Sequence, residues 1–274
     1  MARGNLVSLM AYTRTYSTLG SPELNLEQTF LLAARHGLPG VELRALAGTI
    51  DLPSHFASVY QTPAALAARL RNEPVKIISL DTSLKLAGGT AEDRENFLKF
   101  LPWAEALGVP RLRAFDGGHQ ADAATHREMA ETIQWWRDLR AKNNWKADLM
   151  IETHDALFTA EAINEFLQLA PGTGILWDTH HTWKKGGENP LVTWRAIRPN
   201  VVHMHVKDSV SIPSGKHPVS YRLPGDGEFP MKPLREVISR EYSGPVSLEW
   251  ERLWHPDLAP VDEALSAATK RGWW

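Results

Sequence analysis

Residues 174–208 read GILWDTHHTWKKGGENPLVTWRAIRPNVVHMHVKD. The stretch opens on a short apolar run, Gly174–Asp178, and closes on another, Val201–Val206. Pro190–Ile197 lies between them as a helix. Short runs that stay apolar without strict alternation are the mark of parallel strands, whose two faces are both buried. The stretch is therefore a strand, a helix and a second strand parallel to the first.

Read outward from there, the pattern repeats in both directions. Further strands are expected at Asn5–Ala11, Gly40–Arg44, Val75–Asp81, Arg111–Phe115, Asp148–Glu152 and Val246–Trp250. The amphipathic segments between them are Leu26–His36, Ala91–Leu107, Ala124–Lys142, Ala160–Leu169 and Pro233–Glu241. Val261–Lys270 forms a last helix. Gly37 and Gly108 supply C-terminal stops. Eight strands, each followed by a helix, predict an α/β fold closed into a (β/α)₈ TIM barrel. An open doubly wound sheet would show a glycine-rich phosphate loop after its first strand. Here that strand runs into AYTRTYST, which has no such fingerprint. No linker or compositional break divides the chain, so residues 1–274 are expected to form one barrel domain.

In such barrels the C-terminal ends of the strands carry the chemistry. Glu152 ends strand five, Asp178 ends strand six, His205 lies near the end of strand seven, and Glu249 lies in strand eight. One acid at a strand end commonly does no more than accept loop hydrogen bonds. Four metal-capable side chains on four consecutive strands converge above the barrel axis. Three carboxylates held that close cannot all ionise unprotected, and a divalent cation resolves the conflict. Oxygen-rich ligation with one imidazole suits Mn²⁺ or Mg²⁺, and Co²⁺ or Zn²⁺ also fit. His203 faces the same way as His205, because side chains alternate with period two.

The ordered set ETHD (152–155), WDTHH (177–181), HVKD (205–208), PGDG (224–227) and SLEWE (247–251) resembles the xylose isomerase-like barrel superfamily, in particular its sugar phosphate isomerase/epimerase branch. The resemblance covers essentially the whole chain. It implies that Glu152, Asp178, His205 and Glu249 are metal ligands, and it matches His181 to the family's histidine three residues after the Asp. It favours His205 over His203, leaving His203 as a layer residue inside the barrel. The activity implied is sugar isomerisation or epimerisation, by proton abstraction beside a carbonyl through a metal-stabilised enediolate. Glu152 and Glu249 are then the base and acid candidates.

Other residues divide between two readings each. His154 and His181 are candidates for acid–base work, His154 equally for a hydrogen-bonded loop position. Lys207 would neutralise an oxyanion or phosphate, or form a plain ion pair. Arg113 and Arg222 are candidates for the substrate's polar groups, and PGDG also reads as a tight turn. The ketohexose 3-epimerases of the superfamily carry a Glu where this chain has Phe158 and an Arg where it has Ser211. A lyase or dehydratase acting on a keto-sugar therefore stands as the alternative. A non-catalytic sugar-binding barrel stands as a third.

Composition narrows the classes further. The 274 residues carry 30 basic and 32 acidic side chains and no cysteine. Without cysteine, disulfides, thiolate metal sites and cysteine nucleophiles are excluded. A net charge of −2 lacks the basic excess that nucleic-acid binding needs. There is no long apolar run to suggest a signal peptide or a membrane span, and a cytoplasmic location is expected. Among the 11 Trp, Trp273 and Trp274 end the chain, which is read either as packing on the barrel or as a contact in a homo-oligomer.

The superfamily includes endonuclease IV, a three-metal DNA-repair enzyme. The third and fourth strands here offer no histidine, and VSYRLPGDG lacks that enzyme's Asp-x-His pair. An abasic DNA duplex incubated with the protein and divalent metal is expected to stay intact. Incision at the rate of a dedicated repair enzyme would overturn this.

Overall fold

The computed structural model describes residues 12–215 and 217–274. Eight parallel strands close into a barrel, with helices between them. In chain order the strands are β1 (Thr13–Ser17), β2 (Gly40–Leu43), β3 (Lys76–Ala87), β4 (Arg111–Gly117), β5 (Asp148–Glu152), β6 (Gly174–Asp178) and β7 (Val201–Val206). A small antiparallel hairpin, β8 (Asp208–Val210) and β9 (Ser220–Arg222), follows before β10 (Pro245–Leu248) completes the ring. Closure is made by β10, which pairs with β7 on one side and β1 on the other.

The expected first strand, Asn5–Ala11, lies outside the described residues. The strand that occupies its place in the barrel is Thr13–Ser17, within the segment read as the loop after it. Its sequence, TRTYS, is polar at every position but Tyr16, so a search for continuous apolar runs passes over it. β3 continues six residues beyond Asp81, and its pairing with β4 shifts register between Asp81 and Lys85. The expected helix Ala91–Leu107 divides into Ala91–Leu98 and Leu101–Leu107. Pro102 lacks an N–H and cannot continue the first helix's ladder, but it is tolerated in the first turn of the second. Two helices between β2 and β3, Leu52–Tyr60 and Pro63–Leu70, and the short helix Thr179–Lys184 add to those expected.

Alternation along the strands separates two interiors. Val41, Leu43, Ile151, Trp177, Val206 and Leu248 face outward into the layer beneath the helices and join the main apolar core. There Trp177 stacks on Trp194 of the helix Pro190–Ile197, at 6.1 Å between ring centroids. The opposite faces of the same strands point into the barrel and are largely polar. Thr15, Glu42, Ser79, Arg113, His203 and Ser247 are all buried there. Thr15 and Ser247 hydroxyls meet at 2.8 Å across the β1–β10 seam.

Trp273 and Trp274 are buried in the chain's own core, so intramolecular packing accounts for both rings. Replacing a buried Trp by Ala typically costs about 3–5 kcal/mol. Trp274→Ala is therefore expected to lower the thermal midpoint by roughly 10 °C. An unchanged midpoint in thermal unfolding would show that the ring contributes no core packing.

Candidate metal centre and active site

The C-terminal mouth of the barrel brings Glu152, Asp178, His205 and Glu249 together. One ligand-type atom from each lies within 4.8 Å of all the others, and all four side chains are buried. Each arrives by a different local device. Glu152 is the last residue of β5, and Asp178 the last of β6. His205 points inward from β7. Glu249 lies one residue past β10, held by its N–H donating to the Val206 carbonyl at 3.1 Å.

Asp178 divides its two oxygens. Oδ1 caps the helix Thr179–Lys184, accepting from the His180 and His181 N–H groups at 2.9 Å each. That leaves Oδ2 turned to the cluster, 2.8 Å from Lys207 Nζ. His205 is oriented from behind. Its Nε2 lies 3.0 Å from both oxygens of Glu42, which presents Nδ1 to the cluster, 3.3 Å from a Glu152 oxygen and 3.3 Å from a Glu249 oxygen. A carboxylate behind a ligand histidine fixes its tautomer and raises its basicity. Glu42 also takes the Ser247 hydroxyl at 3.1 Å and lies 2.9 Å from His203 Nε2.

The electrostatics follow from this crowding. Burial would raise the Glu42 carboxyl, but the His205 and His203 imidazoles outweigh it and hold it well below the usual range. Burial would lower His205, yet the Glu249 and Glu42 carboxylates push it well above an ordinary imidazole. Glu249 is held low by His205 and Lys207 against the effect of burial. Asp178 is pushed up by burial and by Glu249 and Glu152, with Lys207 opposing. Lys207 is itself buried, reaching Asp178, Glu249 and Glu251 at once. It is raised well above the usual lysine range, because those three carboxylates outweigh its burial.

The donor set fits a divalent cation. Glu152 Oε2, Asp178 Oδ2 and His205 Nδ1 are buried and make no hydrogen bond, resting on ion-pair contacts alone, to Arg113, to Lys207 and to the Glu152 and Glu249 carboxylates respectively. Buried polar atoms without hydrogen bonds are costly, and three of them converging on one point suit a cation that would take all three. Two other groupings of metal-type residues occur among the described residues. Glu42, His203 and His205 are already joined to one another, and both oxygens of Asp116 accept backbone N–H groups of residues 154–157.

Above the cluster lies a small cavity of about 90 Å³, walled by Arg44, Arg113, His154, His181, Lys207 and Trp254 among others. A larger hollow of about 240 Å³ over Ile50, Thr82 and Phe97 gathers no set of metal ligands. The His154 and His181 rings meet edge to face at 4.7 Å. His181 Nδ1 lies 3.0 Å from the Thr153 carbonyl, which can only accept, so the proton sits on Nδ1 and Nε2 is left with a lone pair. Burial and the nearby Lys207 push His181 well below the ordinary range. His154 is raised: burial opposes this, but the Asp155 carboxylate, 2.8 Å from Nδ1, and Glu152 prevail.

Of the residues singled out in the sequence, Arg222 does not join the others. It is exposed on β9, donates to the Tyr221 carbonyl at 3.0 Å, and lines an outer hollow with His217 and His255. The neighbouring PGDG loop is built as a turn. Asp208 accepts from the N–H groups of Gly225, Gly227 and Phe229. A Cβ at Gly227 would stand 2.1 Å from Asp208 Oδ1, so only glycine fits. Four residues with clear structural work here, Glu42, Arg44, Asp116 and Glu251, carried no assigned role in the sequence. GVELR, at the end of strand two, held the available signal for the first two.

The family model for the xylose isomerase-like TIM barrel matches residues 30–271. The chain belongs to that family. No curated protein matches it. Among solved structures, this family member is similar to the probable 3-DHS dehydratase AsbF of Bacillus anthracis, involved in petrobactin synthesis, with a TM-score of 0.76 and 18% identity over 94% of this chain and 99% of that one. The IOLI protein, whose crystal structure holds a zinc atom, aligns with a TM-score of 0.71 and 17% identity, over 95% and 96% of the two chains. A xylose isomerase domain-containing protein of Salmonella typhimurium aligns with a TM-score of 0.73 and 14% identity, over 95% and 96%. These likenesses establish the shared barrel fold. No helix among the described residues is long and apolar enough to cross a membrane.

The Glu249 and Glu42 carboxylates push His205 toward its protonated form when no cation is bound. A cation at Nδ1 must displace that proton, so affinity is expected to rise with pH up to the raised pKa of His205. Calorimetric titration with Mn²⁺ in buffers of different ionisation enthalpy should reveal about one proton released per ion. Binding without proton release would remove His205 Nδ1 from the ligand set.

Proposed function

We propose that the chain is a divalent-metal-dependent enzyme that moves a proton beside a carbonyl of a small carbohydrate-like substrate, completing an isomerisation or epimerisation. The observation that carries this reading is the convergence of Glu152, Asp178, His205 and Glu249, three of them with a buried atom that makes no hydrogen bond, beneath a cavity walled by two histidines. Mn²⁺ or Mg²⁺ suits so oxygen-rich a set, with Co²⁺ or Zn²⁺ also accommodated. A cation held there would polarise the substrate's oxygens and acidify the neighbouring C–H bond.

The chain's own groups supply the proton transfers. Glu152 and Glu249 come from β5 and from the end of β10, so they approach the cavity from different sides. Both are pushed toward the ionised form. For Glu152 burial is outweighed by the Arg113 guanidinium, whose Nε is 3.3 Å from Oε2. For Glu249 it is outweighed by His205 and Lys207. The ionised state is the one a base needs. His181, neutral with its Nε2 lone pair free, and His154, held toward its protonated form, make a second pair able to accept and return a proton.

The raised His154 favours one further reading. A protonated imidazole on the cavity wall is the group that would protonate a departing hydroxyl, as a lyase or dehydratase acting on a keto-sugar requires.

Turnover in deuterated water separates the readings. Solvent deuterium entering the product without loss of water marks isomerase chemistry, and loss of water marks a lyase. A metal-loaded protein inert toward a broad panel of sugars and keto-sugars would be a binding barrel instead. Glu152→Gln and Glu249→Gln are each expected to lower turnover by about 10²–10⁴-fold with metal occupancy restored. Rates near wild type in both would make the carboxylates ligands alone and pass proton transfer to His154, His181 or Lys207.

A further inference from the structure

Arg113 projects from β4 into the barrel mouth and Arg44 follows directly on β2. Both are buried, at 3% and 6% exposure, and both line the cavity above the carboxylate cluster. Arg113 is poorly satisfied. Its Nη1 is buried without a hydrogen-bond partner, and its Nε has only an ion-pair contact, to Glu152 Oε2 at 3.3 Å. Nη2 reaches Asp81 Oδ2 only at 4.0 Å, too far for a hydrogen bond. Its guanidinium lies over the Phe115 ring at 3.9 Å, which fixes the plane of the fork.

Arg44 donates to neutral acceptors, the Asp81 carbonyl at 3.4 Å and the Ser83 hydroxyl at 3.1 Å. Among the described residues, no carboxylate oxygen lies within 4.0 Å of its charged nitrogens. The carboxylate nearest to Arg113 is Glu152, one of the four converging residues, whose Oε2 faces Nε at 3.3 Å and leaves Nη1 unpaired. Two buried guanidinium groups thus share one cavity wall with too few acceptors.

Unpaired buried cations are strongly disfavoured, and the planar guanidinium fork matches an oxyanion in two-point geometry. We infer that Arg44 and Arg113 form an anion subsite, so that the substrate carries a carboxylate or phosphoryl group beside its reacting carbonyl end. The inference rests on the reading that this cavity holds the substrate, and it narrows the substrate class from neutral sugars to sugar acids or sugar phosphates. Arg113 anchors the oxyanion with its partnerless Nη1–H, and Arg44 supplies the second positive charge.

Small anions test this without turnover and without metal, so a failed isomerase assay and a failed anion titration are separate outcomes. The Arg Nε–H resonances of metal-free protein labelled with ¹⁵N would be followed while acetate or inorganic phosphate is added. Saturable shifts of the Arg113 and Arg44 signals are expected. The anion that saturates at lower concentration identifies the group as carboxylate or phosphoryl. Arg113→Gln should weaken that binding by at least tenfold, as should Arg44→Gln. Arg113→Lys, which keeps the charge but loses the fork, should fall between wild type and Arg113→Gln and serves if the Gln variant fails to fold. If neither anion shifts these resonances saturably, or if folded variants bind as tightly as wild type, there is no subsite.

Discussion

Three carboxylates share the space around one imidazole nitrogen in the mouth of a closed barrel. Glu152, Asp178 and Glu249 each place an oxygen within 4.8 Å of His205 Nδ1 and of one another. Like charges at such distances repel by about 3–4 kcal/mol per pair at the effective dielectric typical of protein sites. The arrangement survives because cations are built into its walls. Lys207 is buried against two of the acids, Arg113 stands beside the third, and His205 is itself pushed toward its protonated form. Burying so many charges is justified only where their remaining atoms find partners. Three of those atoms have ion-pair neighbours but no hydrogen bond, and they are turned to one point.

The same constraint explains the support around the cluster. Glu42, from the opposite side of the barrel, accepts from His205 Nε2 and so fixes which ring nitrogen faces the acids. Asp178 satisfies a helix N-terminus with one oxygen and keeps the other for the cluster. Asp116 gathers the backbone N–H groups of residues 154–157, setting the loop that carries His154. Asp208 does the same for the loop around Gly225 and Gly227. None of these acids needs to touch a substrate to shape the site. Each converts a flexible loop or an ambiguous ring into a fixed geometry, which a site that moves protons requires.

The barrel interior departs from the picture of a greasy β-core. Strands read as buried on both faces are so, but one buried face is polar. Thr15, Ser79, His203 and Ser247 line it, hydrogen-bonded to each other or to the acids. TRTYS, polar at Arg14 on the outer face as well as at Thr15 on the inner one, has no apolar run to mark it as a strand, whereas GILWD and DLMIE do.

The βα alternation and the four-residue convergence were legible from the sequence by itself, because both are local. A short apolar run marks a strand, its last residue marks a strand end, and the closed barrel brings consecutive strand ends to one mouth. The short motifs ETHD, WDTHH, HVKD and SLEWE carried the family likeness for the same reason. Tertiary structure decided the rest. It set Glu42 behind His205 across 163 residues of chain. It buried Lys207 among three acids and turned Arg44 toward Arg113. It also left Arg222 outside, because the β8–β9 hairpin carries that side chain away from the mouth. Which side chains meet across a closed barrel depends on strand order, register and loop path, and none of these is written in the spacing of residues along the chain.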